Sequence, residues 1–307
     1  MPTAPDPLLQ TLHTDDLENR SDRLHYATGE MLGQDDFRAE QLYHRRQLAR
    51  ALLFLHGSGT IAGLKVIAAP EASLTNPGTV GEVQIIVEPG LAIDRSGRLI
   101  ELPVPVSLRL RRWAEFISSP ANTGDPRAVD RLRNAFDAGS SAVLADVFLS
   151  FHPCERGWTP AFATGPFDAL DAAQPSRVRD SYEVNLVLRA PGPAAQAFDP
   201  WADVPPGATT TQIREAILDA WGKLEPPVTG LPTDFHESPA SIDPNSVLLA
   251  RLYIPAPAAP ASPADLNWSV AAWHHPPDTA GDNTSNLDNF VRNFAVPPAL
   301  VRRLHNL

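Results

Sequence analysis

The chain is poor in cysteine: Cys154 stands alone among 307 residues. A single thiol closes no disulfide within the chain and builds no multi-cysteine zinc site. It fits a protein made in a reducing compartment. Long apolar runs are missing too; none approaches the 18 residues that a membrane-crossing helix needs. The opening residues, MPTAPDPLLQTLHTDD, carry neither a basic segment nor an apolar one, so no secretory leader is expected. Positive charge is scarce: 25 Lys and Arg face 36 Asp and Glu, a net charge of −11. That balance argues against a nucleic-acid binder working by bulk electrostatics, while leaving room for a local basic patch. The expected location is cytoplasmic, with no membrane span and no nucleic acid as partner.

What the chain does have is apolar content of 43%, ample for a packed core. Its length suits one large domain or two ordinary ones. Proline is abundant, at 32 residues, and most of it lies beyond residue 150. Long irregular connections are therefore expected in the second half.

The pattern divides the chain into three parts. Residues 1–30 are polar, with Asp15, Asp16 and Glu18 clustered, and read as an arm. Residues 31–190 read as a helix plus a β-sheet core. Residues 191–307 read as a proline-rich extension with short helices and strands, packed on the same core or separate from it. The first helix is expected over 35–56, with Asp35 and Asp36 at the positive end of its dipole. Phe37, Gln41, His44, Leu48, Ala51, Leu52 and Leu55 recur at helical spacing, so this stripe is expected to pack on something. Gly57 is a natural helix stop.

Single strands are expected over 61–69, 83–94 and 98–110, the last two joined by a turn at Asp94-Arg95-Ser96-Gly97. Pro103 and Pro105 imply an edge position. A helix is expected over 126–138, a buried strand over 141–151, a loop over 152–180 and a half-buried strand over 181–189. Beyond these come a helix over 211–224, strands over 247–254 and 266–273, and helices over 285–294 and 297–304. The sum is an α+β fold, a mainly antiparallel sheet with an N-terminal amphipathic helix and a proline-rich C-terminal extension.

Three stretches carry a family resemblance. The first is DFRAEQLYHRRQLARALLFLHGSGTIAGLKV, beginning at Asp36. The second joins Pro89-Gly90-Leu91-Ala92-Ile93-Asp94 to Gly97-Arg98-Leu99-Ile100. The third is Ser176-Arg177-Val178-Arg179-Asp180-Ser181-Tyr182-Glu183-Val184, with a weaker echo at Leu248-Leu249-Ala250-Arg251-Leu252. Over about residues 25–190 the chain resembles a family of bacterial proteins, mostly of unassigned activity, associated with phage-tail-like contractile injection systems. The resemblance implies a structural or adaptor component acting by protein–protein contacts, in a baseplate or similar assembly. It implies other particle subunits as partners, a homo- or hetero-oligomer, and incorporation in a particle released from the cell. It brings no catalytic residue and no cofactor. Members often carry extra cysteines in the region held here by residues 153–176, and this chain keeps only Cys154.

Several residue groups invite chemistry. Gly57-Ser58-Gly59 looks like part of a nucleotide loop, but such a loop follows a strand and opens a helix, and this one does the reverse. An esterase reading of His56-Gly57-Ser58-Gly59 lacks the G-x-S-x-G elbow. His152, Cys154 and Glu155 are three potential metal ligands or a thiol site, and His274-His275 a second candidate with Asp278 or Asp282; each falls short of a ligand set on its own strand. A hydrolase acting on cell-wall material would need paired carboxylates, for which Asp146, Glu155, Asp168 and Asp171 are the candidates. A carbohydrate- or cell-surface-binding module would use Trp158, Trp201, Trp268 and Trp273 as stacking platforms.

Expected catalytic, cofactor and metal residues are therefore none, and the chain is expected not to be an enzyme. Expected contact regions are residues 1–30, residues 255–307 and the helix face bearing Arg45, Arg46 and Arg50, with Tyr43 and His44 beside it. Arginines suit bidentate pairing with a partner's carboxylates; the plainer alternative has them solvated or paired with Glu40.

Overall fold

A computed structural model describes residues 23–29, 31–70, 82–160, 173–191, 204–223, 243, 245–269, 273 and 286–295. Every strand ladder among them is antiparallel, and helices flank the sheets, so the fold is α+β.

Helix α1 (Gln34–His56) starts where Asp36 Oδ2 accepts the Gly33 N–H at 2.7 Å. It stops at Gly57, whose φ of 71° lies in the region glycine enters freely. The face that touches the body is not the expected one. Ala49 and Leu53 are buried. Phe37, Gln41, His44, Leu48, Ala51 and Leu55 are exposed, and only Leu52 of the expected stripe is half-buried. The turn before β5 presses on α1 so closely that a Cβ on Gly97 would lie 2.0 Å from Ala49 O.

The next two expected strands each break in two, at the same level. β1 (Gly59–Gly63) and β2 (Val66–Pro70) replace 61–69; β3 (Val83–Val87) and β4 (Gly90–Ile93) replace 83–94. Gly63 pairs with Gly90 at the break. A Cβ on Gly90 would sit 2.4 Å from both Ala62 O and Leu64 N, so the bare backbone is what lets the chains cross. Each chain segment then serves two sheets. β4 lies between β1 and β5 (Leu99–Leu102), and β3 lies between β2 and β6 (Val106–Arg109). Pro103 and Pro105 separate β5 from β6, and both strands take sheet edges.

Helices α2 (Leu110–Ile117) and α3 (Pro120–Thr123) follow. In place of the helix expected over 126–138 come a 3-10 turn (Ala128–Asp130), one turn of helix α4 (Arg131–Asn134) and β7 (Phe136–Asp137). The central sheet is built on β8 (Ala142–Pro160) and β9 (Ala173–Leu188). Beyond helix α5 (Thr210–Lys223), β10 (Val247–Pro255) and β11 (Leu287–Asp288) complete it in the order β11-β10-β8-β7, with β9 on β8. Two expectations are corrected here. Of the strand expected over 266–273, the described residues 266–269 and 273 show one bridge, Glu82 to Ser269. The helix expected over 285–294 is absent over 286–294, where β11 is followed by irregular chain.

That irregular chain is held by side chains. Asn289 Oδ1 accepts the Val66 N–H and its Nδ2 donates to Val66 O, each at 2.9 Å. The Arg292 guanidinium donates to Leu64 O at 2.7 Å, and burial lowers its pKa to about 10. Leu149, Leu249 and Leu252 of the central sheet share one core cluster with Ile85 and Val87 of β3, and Phe148 and Leu248 are buried outside that cluster. Among the described residues no helix is long and apolar enough to cross a membrane.

Candidate binding surface on the projecting hairpin

The stretch AVLADVFLSF, residues 142–151, is buried throughout. It has neighbours on both sides: β9 on one, and β10 on the other as far as the Leu149–Val247 pair. There β10 ends its ladder with β8. Pairing between β8 and β9 continues out to Pro160–Ala173. A loop was expected over 152–180; the described parts of it are strand instead. Nine residues of β8 beyond Phe151, at about 3.3 Å each, form a two-stranded arm about 30 Å long.

The register sorts the arm's side chains into two faces. Directly opposed residues share a face, and alternate residues do so along a strand. The pairs His152–Ser181, Cys154–Arg179 and Arg156–Arg177 lie on one face. The pairs Pro153–Asp180 and Glu155–Val178 lie on the other. One face is thus basic without an acid, and both arm carboxylates point the opposite way. Arg156 and Arg177 stand directly across from each other, an arrangement that opposes folding. Among the described residues Arg156, Arg177 and Arg179 form no ion pair. Beyond them, Gly157 has φ 67° and its carbonyl accepts a hydrogen bond from the Ser176 hydroxyl; Trp158 follows, 61% exposed.

At the root of the arm the same face opens into a groove of about 410 Å³, lined by Ser150, His152, Glu183, Asn185 and Asp243 among others. Ser150 Oγ lies 2.7 Å from Ser246 Oγ. Glu183 and Asp243 make the root acidic, and the arginines make the outer arm basic.

The second motif turns out to anchor this root. Asp94 Oδ1 accepts the N–H groups of Ser96 and Arg98, both at 2.8 Å, and its other oxygen takes Arg98 Nε. Burial pushes the Asp94 carboxyl up to about 6, against the pull of Arg98. The Arg98 guanidinium in turn lies 4.7 Å from the Phe151 ring, where the arm leaves the body.

The other candidates are scattered. Asp146 is buried between two arginines: Arg251 Nε reaches Oδ1 at 2.8 Å and Arg189 Nε reaches Oδ2 at 2.6 Å. It is a core ion-pair centre, and Glu155 lies far out on the acidic face of the arm. Asp168, Asp171, Trp201, His274, His275, Asp278 and Asp282 lie outside the described residues. Trp268 is buried, its Nε1 donating to Pro263 O at 2.9 Å, and Trp273 is buried too; neither ring is free to stack on a ligand. His152 and Cys154 share a face while Glu155 points away, and the described residues hold no cluster of three metal-ligating side chains. Gly57-Ser58-Gly59 is a helix stop, with a Cβ on Gly59 placed 2.6 Å from Asn293 O. Arg45, Arg46 and Arg50 on α1 are half-buried, each engaged in an interaction.

Sequence reasoning missed Arg156 because Pro153, Gly157 and Pro160 read as loop signals. The alternation Arg177-Val178-Arg179 was the available clue, since period two puts both arginines on one face of a strand. Compared with known families, the chain matches no family model, and no curated protein matches it.

Proposed function

We propose that the chain is a structural or adaptor subunit of a phage-tail-like contractile injection particle, docked through the basic face of its projecting hairpin. The observation that supports this most is the placing of Arg156, Arg177 and Arg179 on one face of an arm that has left the core. Guanidinium groups there suit bidentate pairing with the carboxylates of a neighbouring subunit. Two of the three arginines belong to the motif that carries the family resemblance. A protruding arm also offers two open strand edges to a partner's sheet. Tagging the chain at native expression, purifying from producing cells and imaging the product by electron microscopy tests the reading. Recovery of the chain on a tubular particle supports it; recovery of free protein alone overturns it.

One observation favours a second reading, a carbohydrate- or cell-surface-binding module: the exposed Trp158 ring beside the arginines. On that reading Trp158→Ala abolishes binding to cell-surface polysaccharide. On the adaptor reading it leaves particle incorporation largely intact.

A further inference from the structure

The arm carries opposite charges on its two faces, and it carries them at the same height. Arg156, Arg177 and Arg179 stand on one face, Glu155 and Asp180 on the other, within consecutive pairs of the β8–β9 ladder from Pro153–Asp180 to Arg156–Arg177. All five side chains are exposed. Among the described residues none of the five forms an ion pair. Side chains on opposite faces of a ribbon point apart, so these charges do not meet within one arm. A second arm stacked on the first brings them together.

We propose that the subunit docked on the basic face is a second copy of this chain, which presents the acidic face of its own arm. The inference rests on the docking role proposed above for that face and names its partner. Charge selects the occupant, since each face supplies what the other lacks. Packed sheets lie about 10 Å apart, a gap that arginine and carboxylate side chains bridge from its two sides. In arms stacked level and pointing the same way, each guanidinium comes within one ladder position of a carboxylate of the next copy. Arg179 meets Asp180, while Arg156 and Arg177 share Glu155. The repulsion between the opposed arginines, unexplained in one chain, is offset in the stack. Each face adds one exposed apolar side chain to the contact: Trp158 on the basic face, and Val178, 65% exposed, on the acidic one. Symmetry sets the form of the assembly. A two-fold axis would bring basic face against basic face, which charge opposes. A repeated basic-to-acidic contact is heterologous, and it runs on into a ring or an open row.

Sedimentation of the purified, nuclease-treated full chain over a range of concentrations tests it. At low salt the wild type is expected in species larger than two chains of 33.2 kDa, which disperse at about 1 M salt, where the screening length falls to about 3 Å. Glu155→Arg/Asp180→Arg and Arg156→Glu/Arg177→Glu/Arg179→Glu are each expected at a single chain mass, with the wild-type circular-dichroism spectrum because all five positions are exposed. Mixed together the two are expected to associate, since the basic face left intact in the first meets the acidic face left intact in the second. A cross-link locates the contact without touching any charge. Val178→Cys puts a thiol on the acidic face, opposite in sense to Cys154 on the basic face. A bis-maleimide matching the about 10 Å between stacked sheets is expected to join these chains into trimers and longer ladders. The wild type, and Val178→Cys in a Cys154→Ser background, are expected to give no ladder. A wild type at one chain mass throughout, variants that still assemble, a mixture that stays monomeric, a ladder from one thiol alone, or assembly that the nuclease abolishes overturns the inference. If particle docking still depends on the arginines in that event, the adaptor role stands and another subunit holds the face; if it does not, both readings fall.

Discussion

The inner and outer halves of β8 belong to one strand paired with one partner strand, yet they obey different rules. Residues 142–151 are apolar at nearly every position because both faces of the strand are buried there. Of the two polar exceptions, Asp146 is matched by two arginines and Ser150 by the Ser246 hydroxyl. Residues 152–160 have solvent on both faces, and there charge is sorted by face instead of matched. The inner half is shaped by packing. The outer half tolerates a pair of directly opposed arginines, which folding alone gives no reason to keep.

Substitutions can break this comparison in graded steps. The largest effect is expected at Asp146→Ala, which leaves Arg251 buried without its carboxylate; the loss is about 3–5 kcal/mol in chemical denaturation, or failure to fold. Phe148→Ala, at a side chain with no exposed surface, should cost about 3–5 kcal/mol by the same measurement. Gly90→Ala forces a Cβ into Ala62 O and Leu64 N and is expected to cost about 1–3 kcal/mol. On the outer half, Val178→Ser, at a residue 65% exposed, should shift stability by less than about 0.5 kcal/mol. Smallest of all in stability is Arg177→Glu, which turns the opposed pair with Arg156 into an attractive one. Its melting temperature should hold or rise while particle binding falls. A large destabilisation there would erase the distinction between the two halves.

Much of the fold was legible where local chemistry decides. Asp35 and Asp36 opening α1, Gly57 closing it, the Asp94–Gly97 turn and the prolines at sheet edges each act over a few residues. What was not legible depends on partners distant in sequence. The split of 61–69 and 83–94 follows from Gly63 meeting Gly90, and no single-strand pattern announces that crossing. Residues 286–294 look helical from Ser285, but Asn289 and Arg292 are claimed by the backbone of Val66 and Leu64. Pro153, Gly157 and Pro160 are residues that usually break sheets, which hides the arm in the sequence. A two-stranded ribbon accepts them, since each strand has a ladder on one side only. The apolar stripe on α1 follows helical periodicity, a local pattern that does not specify which surface covers it.

The most direct test compares the wild type with Arg156→Ser/Arg177→Ser/Arg179→Ser in producing cells. The quantity measured is the fraction of each that sediments with the particle. At equal soluble levels and equal melting temperatures, the wild type should sediment and the variant should stay in the supernatant. Equal sedimentation of the two, or a wild type found only as free protein, would contradict the account.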